Sequence, residues 1–327
     1  MRILFITASR IGDAVLSTGL LAALAARHPR ARFTVACGAP AAPLFAPAPF
    51  IERVIPMVKR RRAGHWIDLW RQTAGTVWHT VVDLRGSALG YVVPALHRRV
   101  LKSSWAPKHR IHHLASAIGA PSGFAPVLWN TPEQQSRAAA LIPADRPAIG
   151  VGPTANWGGK QWPAERFAQV VAALAAPGGI LPGARIAVFG ADWERPAATP
   201  LLEAIPLDRR IDLIGAIDLP TAHACLTRCA LYLGNDSGLM HIAAASGAPT
   251  LGLFGPSSEI LYGPMGPATA TVRGPRSFED ICHAPDFDHR SHACLMLDLE
   301  PERVAAAAEA LWQRTGARKN QPNPSAV

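Results

Sequence analysis

Short apolar runs alternate with segments of helical spacing along almost the whole chain. ILFIT (3–7), RFTVAC (32–37), RVIPMV (53–58) and HTVVDL (79–84) are rich in β-branched and aromatic residues and predict strands. DAVLSTGLLAALAARH (13–28) repeats its apolar positions every three or four residues and predicts a helix, and a further helical stretch is expected near Ala88–Leu96. A less regular section runs to about Ile142. PAIGVG (147–152) then opens a second series: helix 164–175, strand 185–190, helix 194–204, strand 211–214, helix 219–229, strand 230–234, helix 238–246 and strand 250–255. A last helix is expected over 302–314 and a disordered tail over 316–327.

Strands alternating with helices imply parallel sheets covered on both faces. Two such series in 327 residues imply two doubly wound α/β domains, 1–145 and 146–315, meeting near 143–148, where IPADRP supplies linker prolines. No apolar run approaches the roughly 18 residues of a membrane-spanning helix. MRILFIT is too short for a signal-peptide core, is followed at once by Arg10 and Asp13, and reads as a buried strand. Five cysteines without regular spacing suit a reducing cytoplasm.

The net charge of +10 is uneven: residues 1–145 hold 18 Lys/Arg against 6 Asp/Glu, and residues 146–327 hold 15 against 17. The cations of the first half cluster in KRRR (59–62), HRRVLK (97–102) and PKHRIHH (107–113), so that half is expected to meet an anionic partner. Polynucleotide is not the expected one, since no nucleic-acid fold motif or aromatic stacking pattern accompanies the charge.

Ligands of doubly wound sheets bind beyond the carboxyl ends of the strands, and three strand-end loops carry chemistry. In TASRIGDAVLSTG (7–19), Asp13 opens a helix, where an acid either caps free N–H groups or serves a reaction; the absent G-x-G-x-x-G disfavours a nicotinamide or flavin site. In GPTANWGGKQWPAERF (152–167), glycines, Thr154 and Lys160 suit a phosphate, but Gln161 stands where a P-loop needs Ser or Thr. In LGNDSGLMHIAAASGAP (233–249), small residues lead into a helix N-terminus suited to phosphate, with Asp236 placed to cap or to accept sugar hydroxyls. A serine-hydrolase reading fails because no G-x-S-x-G elbow is present. CHAPDFDHRSHAC (282–294) gathers Cys, His and Asp without a standard zinc spacing and is expected to be a surface loop, with adventitious or structural zinc as the lesser alternative.

Taken together, I-G-D, T-x5-K-x-W-P and D-S-G-x-x-H-x-A-A-x-x-G-x-P-x-x-x-L-F-G-P resemble glycosyltransferase family nine, the family of ADP-heptose:lipopolysaccharide heptosyltransferases. The resemblance covers nearly the whole chain, and the third motif is the specific one. It implies a GT-B fold, two Rossmann-like domains facing a central cleft, with the acceptor on the amino-terminal domain and the donor on the other. It implies Asp13 as general base, and Thr154 and Lys160 on the donor diphosphate, with Lys160 helping the leaving group. Glu194 is implied for the ribose, Ile217 for the adenine, and Asp236, Ser237, Gly238 and His241 for phosphate and sugar. The loop Asn156–Gly159 carries less charge than the family pattern.

The expected reaction is inverting transfer of a heptose from ADP-heptose to a lipopolysaccharide inner-core hydroxyl, without a metal or other cofactor. The rival readings are a UDP-linked donor and a non-catalytic basic module that binds nucleic acid. Arg60, Arg61, Arg62 and Lys102 are the expected contacts for an anionic acceptor and for peripheral attachment at the cytoplasmic face of the membrane.

Overall fold

The computed structural model describes residues 1–104 and 106–319, which form two compact units, Met1–Pro132 and Glu133–Val327. In the first, β1 (Arg2–Ile6), α1 (Ile11–Arg27), β2 (Arg32–Gly38), β3 (Ile51–Met57), α2 (Gly64–Thr73), β4 (Trp78–Asp83), α3 (Leu89–Val92), β5 (Ala95–Val100) and α4 (Arg110–Ala115) follow in turn. Its five strands run parallel in the order β3-β2-β1-β4-β5. The next elements are α5 (Pro132–Leu141), β6 (Ala148–Gly152), α6 (Ala164–Leu174), β7 (Arg185–Val188), α7 (Arg195–Ala204) and β8 (Arg210–Asp212). Then come α8 (Leu219–Leu226), β9 (Leu231–Asn235), α9 (Gly238–Ala245), β10 (Thr250–Phe254), α10 (Glu259–Tyr262), β11 (Thr269–Arg273), α11 (Phe278–Cys282) and α12 (Pro301–Lys319). The six strands of this second unit are also all parallel, in the order β11-β10-β9-β6-β7-β8.

Every residue of β6, β9 and β10 is buried, because helices cover both faces of the sheet. That is why these strands read as unbroken apolar runs. Strand order reverses between β1 and β4 in the first unit and between β6 and β9 in the second, so each sheet has its ligand crevice at the carboxyl ends of those pairs. The expected pair of doubly wound α/β units is therefore present.

Three details depart from the sequence expectation. The helix expected near Ala88–Leu96 is a single turn, α3, followed by β5; Val93 is extended before Pro94, which disfavours helical backbone at the residue preceding it. The units divide at 132/133 and not near 143–148, because α5 and the segment after it are tied into the second unit. Arg137 donates to the Ala216 carbonyl at 2.9 Å, Arg228 to that of Ile142 at 2.6 Å, and Asp145 pairs with Arg185 at 2.5 and 2.8 Å. Finally, α12 runs on to Lys319, into the expected tail; residues 320–327 lie outside the described residues.

Candidate functional site

At the β6/β9 reversal, Gly152 and Gly234 stand in register. Gly150, Gly152 and Gly234 leave one face of the sheet bare, and the Tyr232 ring fills it; a Cβ on Gly152 or Gly234 would strike the Tyr232 hydroxyl. Burial pushes that hydroxyl's pKa far up, with Glu194 and Cys229 acting the same way and Ser237 the opposite, so it is a neutral phenol beneath the strand ends. Asn235 then clips the two loops together. Its Nδ2 donates to the Pro153 carbonyl at 2.7 Å, and its Oδ1 accepts from the Trp162 amide at 3.2 Å.

These clips bring distant side chains to one spot. Lys160 ends a tight turn, and its Nζ lies 2.5 Å from Asp236 Oδ2. Asp236 is 8 % exposed, so this is a shielded ion pair. Asp236 therefore does not cap α9; the N-cap is Ser237, in extended conformation and without a side-chain cap bond. The first N–H groups of α9, from Gly238 onward, thus have no side-chain cap, beside a cation and a carboxylate. His241, in the first turn of α9, is buried.

Thr154 is 1 % exposed, and its Oγ1 has no hydrogen-bond partner among the described residues. It converges with Glu194 over Gly190: a Cβ there would lie 3.4 Å from Glu194 Oε2 and 3.6 Å from Thr154 Oγ1. Glu194 braces its own turn by accepting from the Ala191 amide at 2.8 Å. The turn carrying half-buried Ile217 is anchored beside this point, since the Gly215 amide donates to the Gly190 carbonyl at 3.0 Å. Thr154, Glu194 and the Ile217 turn thus line one side of the crevice, and Lys160, Asp236, Ser237, Gly238 and His241 cluster where α9 begins.

In the first unit, Asp13 lies in the first turn of α1, whose N-cap is Arg10 with no side-chain cap bond. The carboxylate of Asp13 instead faces Arg110, Nε to Oδ1 3.8 Å. Arg110 donates from Nη1 to His113 Nδ1 at 3.0 Å, and His113 Nε2 lies 2.9 Å from the Lys102 carbonyl. A carbonyl can only accept and a guanidinium only donate, so His113 accepts at Nδ1 and donates from Nε2. Lys102 thereby sits at the far end of a chain that leads to Asp13. Across the β1/β4 crevice, Arg85 donates to Ser9 Oγ at 2.6 Å and lies over the Trp66 ring of α2 at 5.4 Å. Arg60, Arg61 and Arg62 are exposed just before α2; Arg60 pairs with Asp68 at 2.9 Å.

The family model for glycosyltransferase family 9 (heptosyltransferase) matches residues 79–287. The chain belongs to this family. It is a glycosyltransferase. The lipopolysaccharide heptosyltransferase 2 of Salmonella typhimurium is 27% identical over 97% of this chain and 100% of that protein. Among solved structures, the E. coli ADP-heptose lps heptosyltransferase II aligns with a TM-score of 0.74 at 23% identity, over 97% of this chain and 100% of that one. A family 9 glycosyl transferase from Veillonella parvula aligns with a TM-score of 0.77 at 21% identity, over 95% and 97%. These likenesses carry the GT-B fold class.

Within the family fold, the segment 282–294 has a clear structural use. Trp157 Nε1 donates to the Ser291 carbonyl at 2.7 Å, the Leu295 amide donates to Gly159 at 3.2 Å, and a Cβ on Gly158 would strike the His292 carbonyl. The segment thus clasps the loop that presents Lys160. Among the described residues, no group of three or more His, Cys, Asp or Glu side chains is placed to hold a metal ion. Sequence reasoning missed Asn235, Tyr232 and Arg110, which position the site without belonging to a phosphate-loop or catalytic pattern. The one signal for Tyr232 was the pair of alternate glycines in AIGVG, which leaves room for a ring on the neighbouring strand.

Proposed function

We propose that the protein transfers a heptose from ADP-heptose to a hydroxyl of the lipopolysaccharide inner core, by single displacement with inversion. The observation that carries this reading is the Lys160–Asp236 pair at the uncapped start of α9, on the crevice of the second sheet. The donor's diphosphate meets Lys160 and the α9 amides, Thr154 Oγ1 gains the partner it lacks, Glu194 takes the ribose, and Ile217 the adenine face. Asp236, Ser237, Gly238 and His241 hold phosphate and sugar. As the acceptor oxygen bonds to the anomeric carbon, Asp13 takes its proton. The bond to the diphosphate breaks, and ADP leaves with that electron pair, its charge met by Lys160 and the helix amides. Those groups suffice without a metal.

The names of the similar proteins support both substrates: one is a lipopolysaccharide heptosyltransferase, and another is named for ADP-heptose. Arg60, Arg61, Arg62 and Lys102 meet the phosphates and carboxylates of the acceptor and the anionic lipids around it. The enzyme works at the cytoplasmic face of the membrane as a peripheral protein; no helix among the described residues is long and apolar enough to cross it. Purified protein should release ADP and add one heptose to a heptose-deficient core when given ADP-heptose. Consumption of a UDP- or GDP-sugar with ADP-heptose left intact would overturn the donor assignment.

A further inference from the structure

The first unit bears a surface whose apolar part the transfer chemistry does not use. α2 buries Leu69 and Thr73, yet leaves Ile67 53% and Trp70 46% exposed, one helical turn apart on the same face. Val58, where the chain leaves β3, is 63% exposed. Cations flank these side chains along the chain: Lys59, Arg60, Arg61 and Arg62 precede the helix, and Arg71 lies one position after Trp70. The only acid between residues 53 and 82 is Asp68, which is held between Arg60 at 2.9 Å and Arg71 at 4.0 Å. Arg62 and Ala63 are the only non-glycine residues with left-handed backbone among those described, a strained turn kept where these cations meet the helix.

We propose that this face docks on an anionic bilayer, with Ile67 and Trp70 wedged at the boundary between headgroups and acyl chains. Lys59, Arg61, Arg62 and Arg71 lie against lipid phosphates. An amphipathic helix with Trp on its apolar side and cations beside it is built for that boundary. A second copy of the chain is the poorer occupant, since a two-fold contact would set the same cations against themselves. The place of α2 also fits: its Trp66 lies under Arg85, which holds Ser9 in the loop leading to Asp13. The docking face and the acceptor loop are thus one side-chain layer apart. The proposal rests on the reading of the acceptor as lipid-borne and adds that attachment is partly apolar.

The test is co-sedimentation of the full chain with phosphatidylcholine vesicles, with and without phosphatidylglycerol, in the absence of nucleotide. The wild type should bind only the anionic vesicles, weakening as salt rises but keeping a salt-resistant remainder. Ile67→Ser with Trp70→Ser should weaken binding by roughly tenfold or more and erase that remainder, since a buried aliphatic or aromatic side chain is worth that much. Its melting temperature and its transfer to a delipidated core oligosaccharide should match the wild type. Vesicle binding unchanged in that variant, equal binding to neutral vesicles, or dimerisation through α2 without vesicle binding would each overturn the docking. Failure of transfer to the soluble oligosaccharide by the wild type, with vesicle binding as expected, would instead strike the acceptor assignment and leave the docking face standing.

Discussion

Replacing Lys160 separates what the ion pair does for folding from what it does for transfer. Lys160→Met keeps most of the side chain's apolar stem but leaves the Asp236 carboxylate, 8 % exposed, without its partner at 2.5 Å. Removing one member of a fully buried pair costs about 3–5 kcal/mol. The Lys160 side chain is 24% exposed, so water screens part of this, and about 2–3 kcal/mol is expected. For a domain of the second unit's size each kcal/mol moves the melting point by about 2–4 °C, giving a fall of about 4–12 °C. Adding Asp236→Asn removes the stranded charge and should restore most of that loss.

Turnover should not follow. If Lys160 neutralises the leaving diphosphate, its loss costs about 3–4 kcal/mol of transition-state stabilisation, or a fall of roughly 10²–10³-fold in either background. Thermal unfolding and a coupled assay of ADP release on the two single variants and the double variant read both effects. Wild-type turnover in Lys160→Met would refute the donor role. Turnover that returns together with stability in the double variant would reduce Lys160 to a structural partner of Asp236.

Asp13→Asn should lower turnover roughly 10²–10⁴-fold while leaving nucleotide affinity and melting temperature nearly unchanged, because no cap bond is lost; an unchanged rate would remove Asp13 from the chemistry. Burial pulls the His223 pKa down to about 4, against an ordinary 6.5, with the Ala245 backbone acting the opposite way. A depressed folded value means its share of stability is whole above pH 6.5 and lost as pH falls towards 4, by about 3 kcal/mol. His223→Gln should flatten unfolding free energy against pH in that window, and identical slopes would contradict this. Gly152→Ala should destabilise by about 1–3 kcal/mol because the new methyl strikes the Tyr232 hydroxyl, and Tyr232→Phe in the same chain should relieve most of it; no relief would place the strain elsewhere.

The strands and the strand-end loops were legible because parallel sheets bury whole runs and put chemistry at one end of them. β5 and β11 were not, and both are edge strands: β5 has no fully buried residue, so no face of it prints an apolar pattern. The individual site residues could be named from motifs, but their pairings could not. Lys160 and Asp236 are 76 positions apart and meet only because β6 and β9 are neighbours in the sheet. Asp13 and Arg110 likewise meet only because α1 packs against α4. Position within a helix start also escaped the sequence: Asp13 and Asp236 both looked able to cap, yet the caps fall on Arg10 and Ser237, which leaves both carboxylates to face cations.

The charge asymmetry gains a physical meaning from where the arginines point. In the second unit they are largely consumed by the fold. Arg166 donates to the Leu297 and Leu299 carbonyls, Arg210 to that of Leu202, and Arg273 to both oxygens of Glu259 and to the loop after β10. Arg195 and Arg276 pair with Asp212 and Asp298. In the first unit, Lys59, Arg61, Arg62 and Arg99 are exposed, and their side chains make no hydrogen bond or ion pair among the described residues. Three of them, Lys59, Arg61 and Arg62, lie just before the helix that exposes Ile67 and Trp70, which is the arrangement that the proposed docking on an anionic, partly apolar surface would use.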